Sequence, residues 1–216
     1  MNKLESFQAV LFDLDGTIIN PHEGIINSVL HAAKKFGFKE EDVESLNTFI
    51  GPPLLDSFRE RYQVTETKAY EMIDEFRVYY ADKGIFECYL YPGVEAAIKH
   101  LYQHQIFLSL ATSKPVGFAN QLLAHFNLDK YFSFTAGALM DGKRTDKKEV
   151  IQFALDQIPA FEKERILMIG DREFDIMGGQ HHNMKTAWAK WGFGSDAEIL
   201  PLSPDFIFNT ASDMIS

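Results

Sequence analysis

The sequence predicts an α/β fold, a parallel sheet covered by helices on both faces, with a helical insertion placed directly after the first strand. Three observations carry this reading. Short apolar runs at 8–12, 106–111, 132–136 and 165–169 read as buried strands, and weaker runs follow at 185–188 and 206–208. The segments between the later runs show helical spacing of apolar residues, and strand and helix in alternation imply a parallel sheet. From about Pro21 to Glu87 that rhythm breaks, and helical spacing appears without a convincing strand. A chain of 216 residues is long enough for one full domain with such an insertion.

Taken in order, the first run ends abruptly in Asp13, and Gly16 signals a turn, so a buried strand gives way to a loop. The insertion, residues 21–87, contains Ile25, Val29, Ala32, Ala33 and Phe36 on one helical face and Tyr70, Ile73, Phe76 and Tyr80 on another. The core is then residues 1–20 and 88–216. Within it, Val116, Ala119, Leu122, Leu123 and Phe126 mark one covering helix, and Val150, Ile151, Ala154, Leu155 and Ile158 mark a second. Ligands of such sheets bind beyond the carboxyl ends of the strands, where Asp13, Thr112 and Asp171 are all expected. An insertion after the first strand is expected to cover that edge as a lid.

Composition narrows the function classes. A formal net charge of -10 repels polyanions, which argues against a nucleic-acid polymer or an anionic membrane as partner. A small anionic substrate would then need local positive charge. The single cysteine, Cys88, can form no intrachain disulfide and no multi-thiolate zinc site, which suits a reducing cytoplasm. The N-terminal segment lacks the apolar stretch of a signal peptide, and no run approaches the roughly 20 apolar residues of a membrane span. The protein is expected to be soluble and cytoplasmic, as a monomer or homodimer.

Four segments carry chemistry. Asp13-Leu14-Asp15-Gly16-Thr17 puts two carboxylates at the end of an apolar strand, a costly placement that a hard divalent cation would relieve. By itself the segment also reads as a solvated turn. Asp171 and Asp175 follow another apolar run and would share a face if a helix begins there, although a helix cap and a first-turn charge read equally well. Thr112-Ser113-Lys114 offers hydroxyl and N–H groups at a strand end and a helix mouth, where a phosphoryl oxygen could be held, or else an ordinary cap. Lys147 and Lys148 offer ammonium groups at a helix start, or a solvated surface. Together they supply what phosphoryl transfer needs: an anionic nucleophile, an acid/base beside it, a metal, and donors for the phosphoryl oxygens.

These motifs, in this order and over nearly the whole chain, resemble the haloacid dehalogenase superfamily in its phosphatase branch. Ile50-Gly51-Pro52-Pro53-Leu54, Tyr91-Pro92-Gly93-Val94 and Trp191-Gly192-Phe193-Gly194-Ser195 are similar to the phosphoglycolate-phosphatase-like and 5′-nucleotidase-like enzymes with a helical cap. The resemblance implies a Rossmann-like core with a four- or five-helix cap. It implies that Asp13 attacks phosphorus, and that Asp15 protonates the leaving oxygen and then activates water. Thr112 and a lysine would hold the phosphoryl group, with Thr17, Ser113 and Lys114 as further substrate-binding residues. Asp171 would bind Mg2+ with Asp13 and the Asp15 carbonyl, supported by Asp175. Of the adjacent lysines, Lys147 is favoured because it lies three residues before Val150 and so points away from the apolar face. Asp15 argues against a true dehalogenase, whose chemistry at carbon does not use that carboxylate.

The expected activity is therefore Mg2+-dependent hydrolysis of a small phosphorylated metabolite through an aspartyl phosphate. Gly51 and Pro52 form a rigid turn that could reach substrate, or a plain helix start. Arg59 could meet a substrate anion, or be a solvated charge. The aromatic side chains are assigned to the core, and His181-His182 to no metal, since neighbours on a helix point apart. A phosphosugar mutase of the same superfamily and a non-catalytic phosphometabolite-binding protein are the alternatives.

Overall fold

The computed structural model describes residues 3–216. Contacts divide the chain into two units, Met1–Asn20 with Leu90–Ser216, and Pro21–Tyr89. In chain order the regular elements are β1 (Ala9–Phe12), β2 (Ile19–Asn20), α1 (His22–Lys35), α2 (Leu54–Tyr62), α3 (Glu66–Asp82), β3 (Tyr89–Leu90), α4 (Val94–Gln103) and β4 (Phe107–Pro115). They continue as α5 (Val116–His125), β5 (Phe134–Ala138), α6 (Lys147–Gln157), β6 (Ile166–Gly170), α7 (Glu173–His181), β7 (Lys185–Ala189), α8 (Asp196–Ile199) and β8 (Phe206–Phe208).

The first unit is built on a six-stranded sheet of order β5-β4-β1-β6-β7-β8, parallel at every pairing. Every side chain of β1 and β6 is buried, as expected of strands covered on both faces. The chain runs from β1 outward through β4 to β5, and then crosses to β6, β7 and β8 on the other side. That reversal opens a crevice at the carboxyl ends of β1, β4 and β6, the place where such sheets bind ligands. Helices α5 and α6 cover the sheet through the residues their spacing predicts, Ala119, Leu122 and Leu123, and Val150, Ile151, Ala154 and Leu155. Strand β4 extends past its expected end because its pairing with β5 shifts between Thr112 and Pro115.

The sheet's far side is tied by one acid. Asp205 accepts from Lys185 Nζ at 2.7 Å and from the Thr186 N–H at 3.0 Å, linking the start of β7 to the turn before β8. Burial alone would push this carboxyl up, but the ammonium and the N–H outweigh it and hold it below its ordinary value of 3.8. Such a group stabilises the fold fully above its unfolded pKa, and the contribution fades as pH falls through the lower folded value. Asp205→Asn is expected to lower stability at neutral pH by about 1 kcal/mol or less, because solvent screens the pair. The gap from the parent should close in unfolding titrations below pH 3.8.

The second unit is helical. It contains α1, α2 and α3 with 3-10 turns at Glu44–Phe49 and Gly84–Phe86, so three α-helices stand where four or five helices were expected. Its interior is aromatic: Phe49, Phe58, Tyr62, Phe76 and Tyr80 form a chain of ring contacts with centroids 5.0 to 6.4 Å apart. Among the described residues no helix is long and apolar enough to cross a membrane.

Candidate active site

Asp13 stands immediately after β1, and its N–H donates to the Ile169 carbonyl of β6 at 2.9 Å, which fixes it at the sheet's crevice. Asp171 follows β6 in the same way. Asp175 is reached one turn later, on the first turn of α7, where its carboxylate accepts the Arg172 N–H at 3.1 Å. Asp171 therefore precedes the helix and shares no helical face with Asp175. The loop between them turns both inward instead. Carboxylate oxygens of Asp13, Asp171 and Asp175 all lie within 4.8 Å of one another, and all three residues are buried.

One cation is built into this group. Lys147, the first residue of α6, is buried, with Nζ 2.8 Å from Asp13, 2.8 Å from Asp175 and 3.0 Å from the Ala111 carbonyl. Its neighbour Lys148 is exposed, and its backbone N–H donates to the helix-capping Asp146. The N-cap fixes the helix start, and with it which lysine turns toward the sheet. With all three carboxylates ionised, one ammonium would leave two negative charges in a buried cluster.

The protonation energetics follow from that imbalance. Burial, aided by Asp175 and Asp13, raises Asp171 well above its ordinary value, and the Phe193 N–H opposes this only in part. Burial likewise pushes Asp175 up to about 6 against the pull of Lys147. Burial would lower Lys147, yet Asp13 and Asp175 outweigh it and raise the ammonium instead.

A divalent cation fits these residues. Asp171 Oδ2 accepts the Phe193 N–H at 2.8 Å, whereas Oδ1 is buried with no hydrogen-bond partner among the described residues. The backbone closes around this carboxylate: a Cβ on Gly16, which has φ +83°, would lie 2.1 Å from Asp171 Oδ2, and one on Gly192 would lie 2.3 Å from Asp171 Cβ. Hard oxygen ligands, an unsatisfied lone pair and an excess of carboxylates over ammonium match Mg2+ chemistry.

Asp15 is partly exposed and receives both hydrogen bonds of Lys114 Nζ, at 3.0 and 2.8 Å. Burial raises its pKa and Lys114 opposes the rise, with the net shift upward. Lys114 is itself buried and reaches the acid/base candidate. Thr112 is buried at the carboxyl end of β4, and its hydroxyl accepts the Lys114 N–H at 3.2 Å; helix α5 begins only at Val116, so Thr112 is not its cap. Thr17 is buried with an unpartnered hydroxyl, and its carbonyl accepts the Trp191 indole N–H at 3.0 Å. Ser113, next to Thr112 in β4, is half-buried.

Gly51, Pro52 and Arg59 belong to the second unit. Gly51 has φ +106° at the bend before α2, the conformation that favours glycine. Arg59 is exposed on α2, lining a surface hollow with Asp56, Glu60 and Gln63. The Phe193 N–H and the Lys114 contact to Asp15 were not foreseen from sequence; the only signal was the glycine spacing at Gly192 and Gly194.

The sequence matches the haloacid dehalogenase-like hydrolase family across residues 10–189. It is 37% identical over 195 residues to a 5′-nucleotidase of Pseudomonas aeruginosa, covering 90% of this chain and 88% of that protein. It is 32% identical over 212 residues to tyrosine-protein kinase PtkA of Mycobacterium tuberculosis, covering 98% of this chain and 69% of that protein. A crystal structure of a predicted phosphatase from Clostridium acetobutylicum superposes with a TM-score of 0.89 at 39% identity, covering 96% of each chain.

Proposed function

The chain belongs to the haloacid dehalogenase-like hydrolase family, and from that premise we propose that it is a Mg2+-dependent phosphatase acting on a small phosphomonoester of the 5′-nucleotide or phosphoglycolate type. The observation that carries the reading is the buried convergence of Asp13, Asp171 and Asp175 at the carboxyl ends of β1 and β6, with Lys147 bridging Asp13 and Asp175. Likeness to a 5′-nucleotidase supports nucleoside monophosphates as the first candidates to test.

In this mechanism a carboxylate oxygen of Asp13 attacks phosphorus, the bond from phosphorus to the ester oxygen breaks, and Asp15 gives that oxygen its proton. Asp15 then takes a proton from the water that attacks the aspartyl phosphate, which frees inorganic phosphate and restores Asp13. The raised Asp15 carboxyl suits both duties, and Lys114 holds it in place. Thr112 and Lys147 hold phosphoryl oxygens. Asp13, Asp171 and the Asp15 carbonyl would hold Mg2+, with Asp175 in support; when bound, the ion neutralises charge on the phosphoryl group. The helical unit, with Gly51, Pro52 and Arg59, is proposed as the cap that selects among substrates.

The test is phosphate release from nucleoside monophosphates, phosphoglycolate, sugar phosphates and an aryl phosphate, with Mg2+ and after chelation. Release that disappears on chelation and returns with Mg2+ is expected. Release indifferent to the metal would overturn the assignment of the acidic cluster, and interconversion of sugar phosphates without net release would point to a mutase. Likeness to a protein named a tyrosine kinase motivates one further arm, labelled ATP, in which phosphoryl transfer to protein in place of water would favour a kinase.

A further inference from the structure

The opposite end of the sheet carries a second cluster of metal-ligating side chains, on Glu5, His100 and His104, whose ligand atoms lie within 4.8 Å of one another. The two histidines are four apart at the end of α4, one above the other on a helical face. Their ring centroids lie 4.1 Å apart with the planes tilted by 34°. Glu5 comes from the 3-10 turn Lys3–Ser6, which is pinned on both sides of it. Leu4 is fully buried, and the Ser6 carbonyl accepts from Arg165 at 3.2 and 3.1 Å.

We propose that Glu5, His100 and His104 form a zinc site, separate from the acidic cluster at the carboxyl ends of β1 and β6. The hydrogen bonds argue for it. His104 Nδ1 lies 2.9 Å from the His100 carbonyl, which can only accept, so Nδ1 carries the proton and the neutral ring presents its Nε2 lone pair outward. A backbone carbonyl holding the far nitrogen is the usual support of a metal-bound histidine. That lone pair faces Glu5 Oε1 at 3.6 Å, and His100 Nε2 faces the same oxygen at 3.7 Å. Both distances exceed hydrogen-bond length, and His100 Nε2 is shut from solvent with no hydrogen-bond partner among the described residues. Ligands about 2.0–2.1 Å from a tetrahedral zinc stand roughly 3.3 Å apart, so the two distances to Glu5 Oε1 need contract by only a few tenths of an ångström. Two imidazoles and one carboxylate favour zinc over Mg2+, which prefers oxygen alone. The fourth position is left for water, and the bound ion ties the N-terminal turn to α4.

The test is equilibrium dialysis of the full chain against Zn2+ in saturating Mg2+, with metal analysis and thermal unfolding in parallel. One bound equivalent is expected, with a higher unfolding midpoint. His100→Ala and His104→Ala should each weaken it at least about tenfold and remove the thermal gain, and Glu5→Gln should weaken it without altering shape. Phosphate release measured without zinc should be unchanged in all three. No bound zinc, or an equivalent that survives the double histidine substitution, or one lost in Asp171→Asn in place of the histidine variants, overturns the site.

Discussion

Asp13→Asn is expected to lose phosphate release by about four orders of magnitude or more while unfolding at a midpoint close to the parent's. The amide keeps the shape of the carboxylate, and the main-chain bond from residue 13 to the Ile169 carbonyl does not depend on the side chain. Lys147 retains Asp175 and the Ala111 carbonyl, so its ammonium is not stranded. What disappears is the anionic oxygen proposed to form the bond to phosphorus. The buried cluster also becomes less negative, so its stability without a cation should hold or rise slightly. Acid-quenched protein, after incubation with labelled substrate, should carry label in the parent and none in the variant. Turnover within tenfold of the parent would remove Asp13 from the chemistry and leave the cluster as a metal site only.

The strands were readable because a parallel sheet covered on both faces demands apolar side chains in every position, and β1 and β6 meet that demand without interruption. The edges were less so. Strand β4 runs through Thr112 to Pro115 because its register with β5 shifts there, a feature of pairing that no single strand records. Asp171 and Asp175 would share a helical face only if a helix began at Asp171; the helix begins at Glu173, Asp175 lies in its first turn, and convergence comes from the loop. Spacing alone could bring the two acids near each other without saying how.

Contacts between distant segments were the invisible part. Asp15 and Lys114 are 99 residues apart, and nothing local marks that lysine as the partner of that acid. Gly16 reads as a turn signal and Gly192 as part of a family-like motif, whereas the role both show in the structure is to leave room for the Asp171 carboxylate. Glu5, His100 and His104 illustrate the same limit, since a histidine pair four apart is unremarkable until the N-terminal turn delivers a carboxylate between them. Chemistry at the ends of strands shows in sequence because each strand end is local; chemistry made by packing does not.

Lys147→Met should destabilise the metal-free protein by about 3–5 kcal/mol, because removing one partner of a buried ion group leaves the others uncompensated. The thioether chain fills much of the space of the lysine stem, so the loss reflects charge more than a cavity. Asp13 and Asp175 would face each other and Asp171 with no ammonium between them, and the cluster would carry three negative charges if all stayed ionised. Part of the cost will be met by protonation, so the unfolding midpoint of the variant should fall least at acid pH and most above neutrality. Mg2+ should then recover more stability in the variant than in the parent, since the ion supplies charge that the lysine no longer does. Phosphate release should still be down by about 10²–10³-fold in saturating Mg2+ if Lys147 is the proposed donor to the phosphoryl oxygens, a duty the ion cannot take over. Thermal unfolding across pH, with and without Mg2+, separates these effects. A variant whose stability ignores the ion would mean that the three carboxylates do not share one, and the electrostatic case for the metal centre would fail with it.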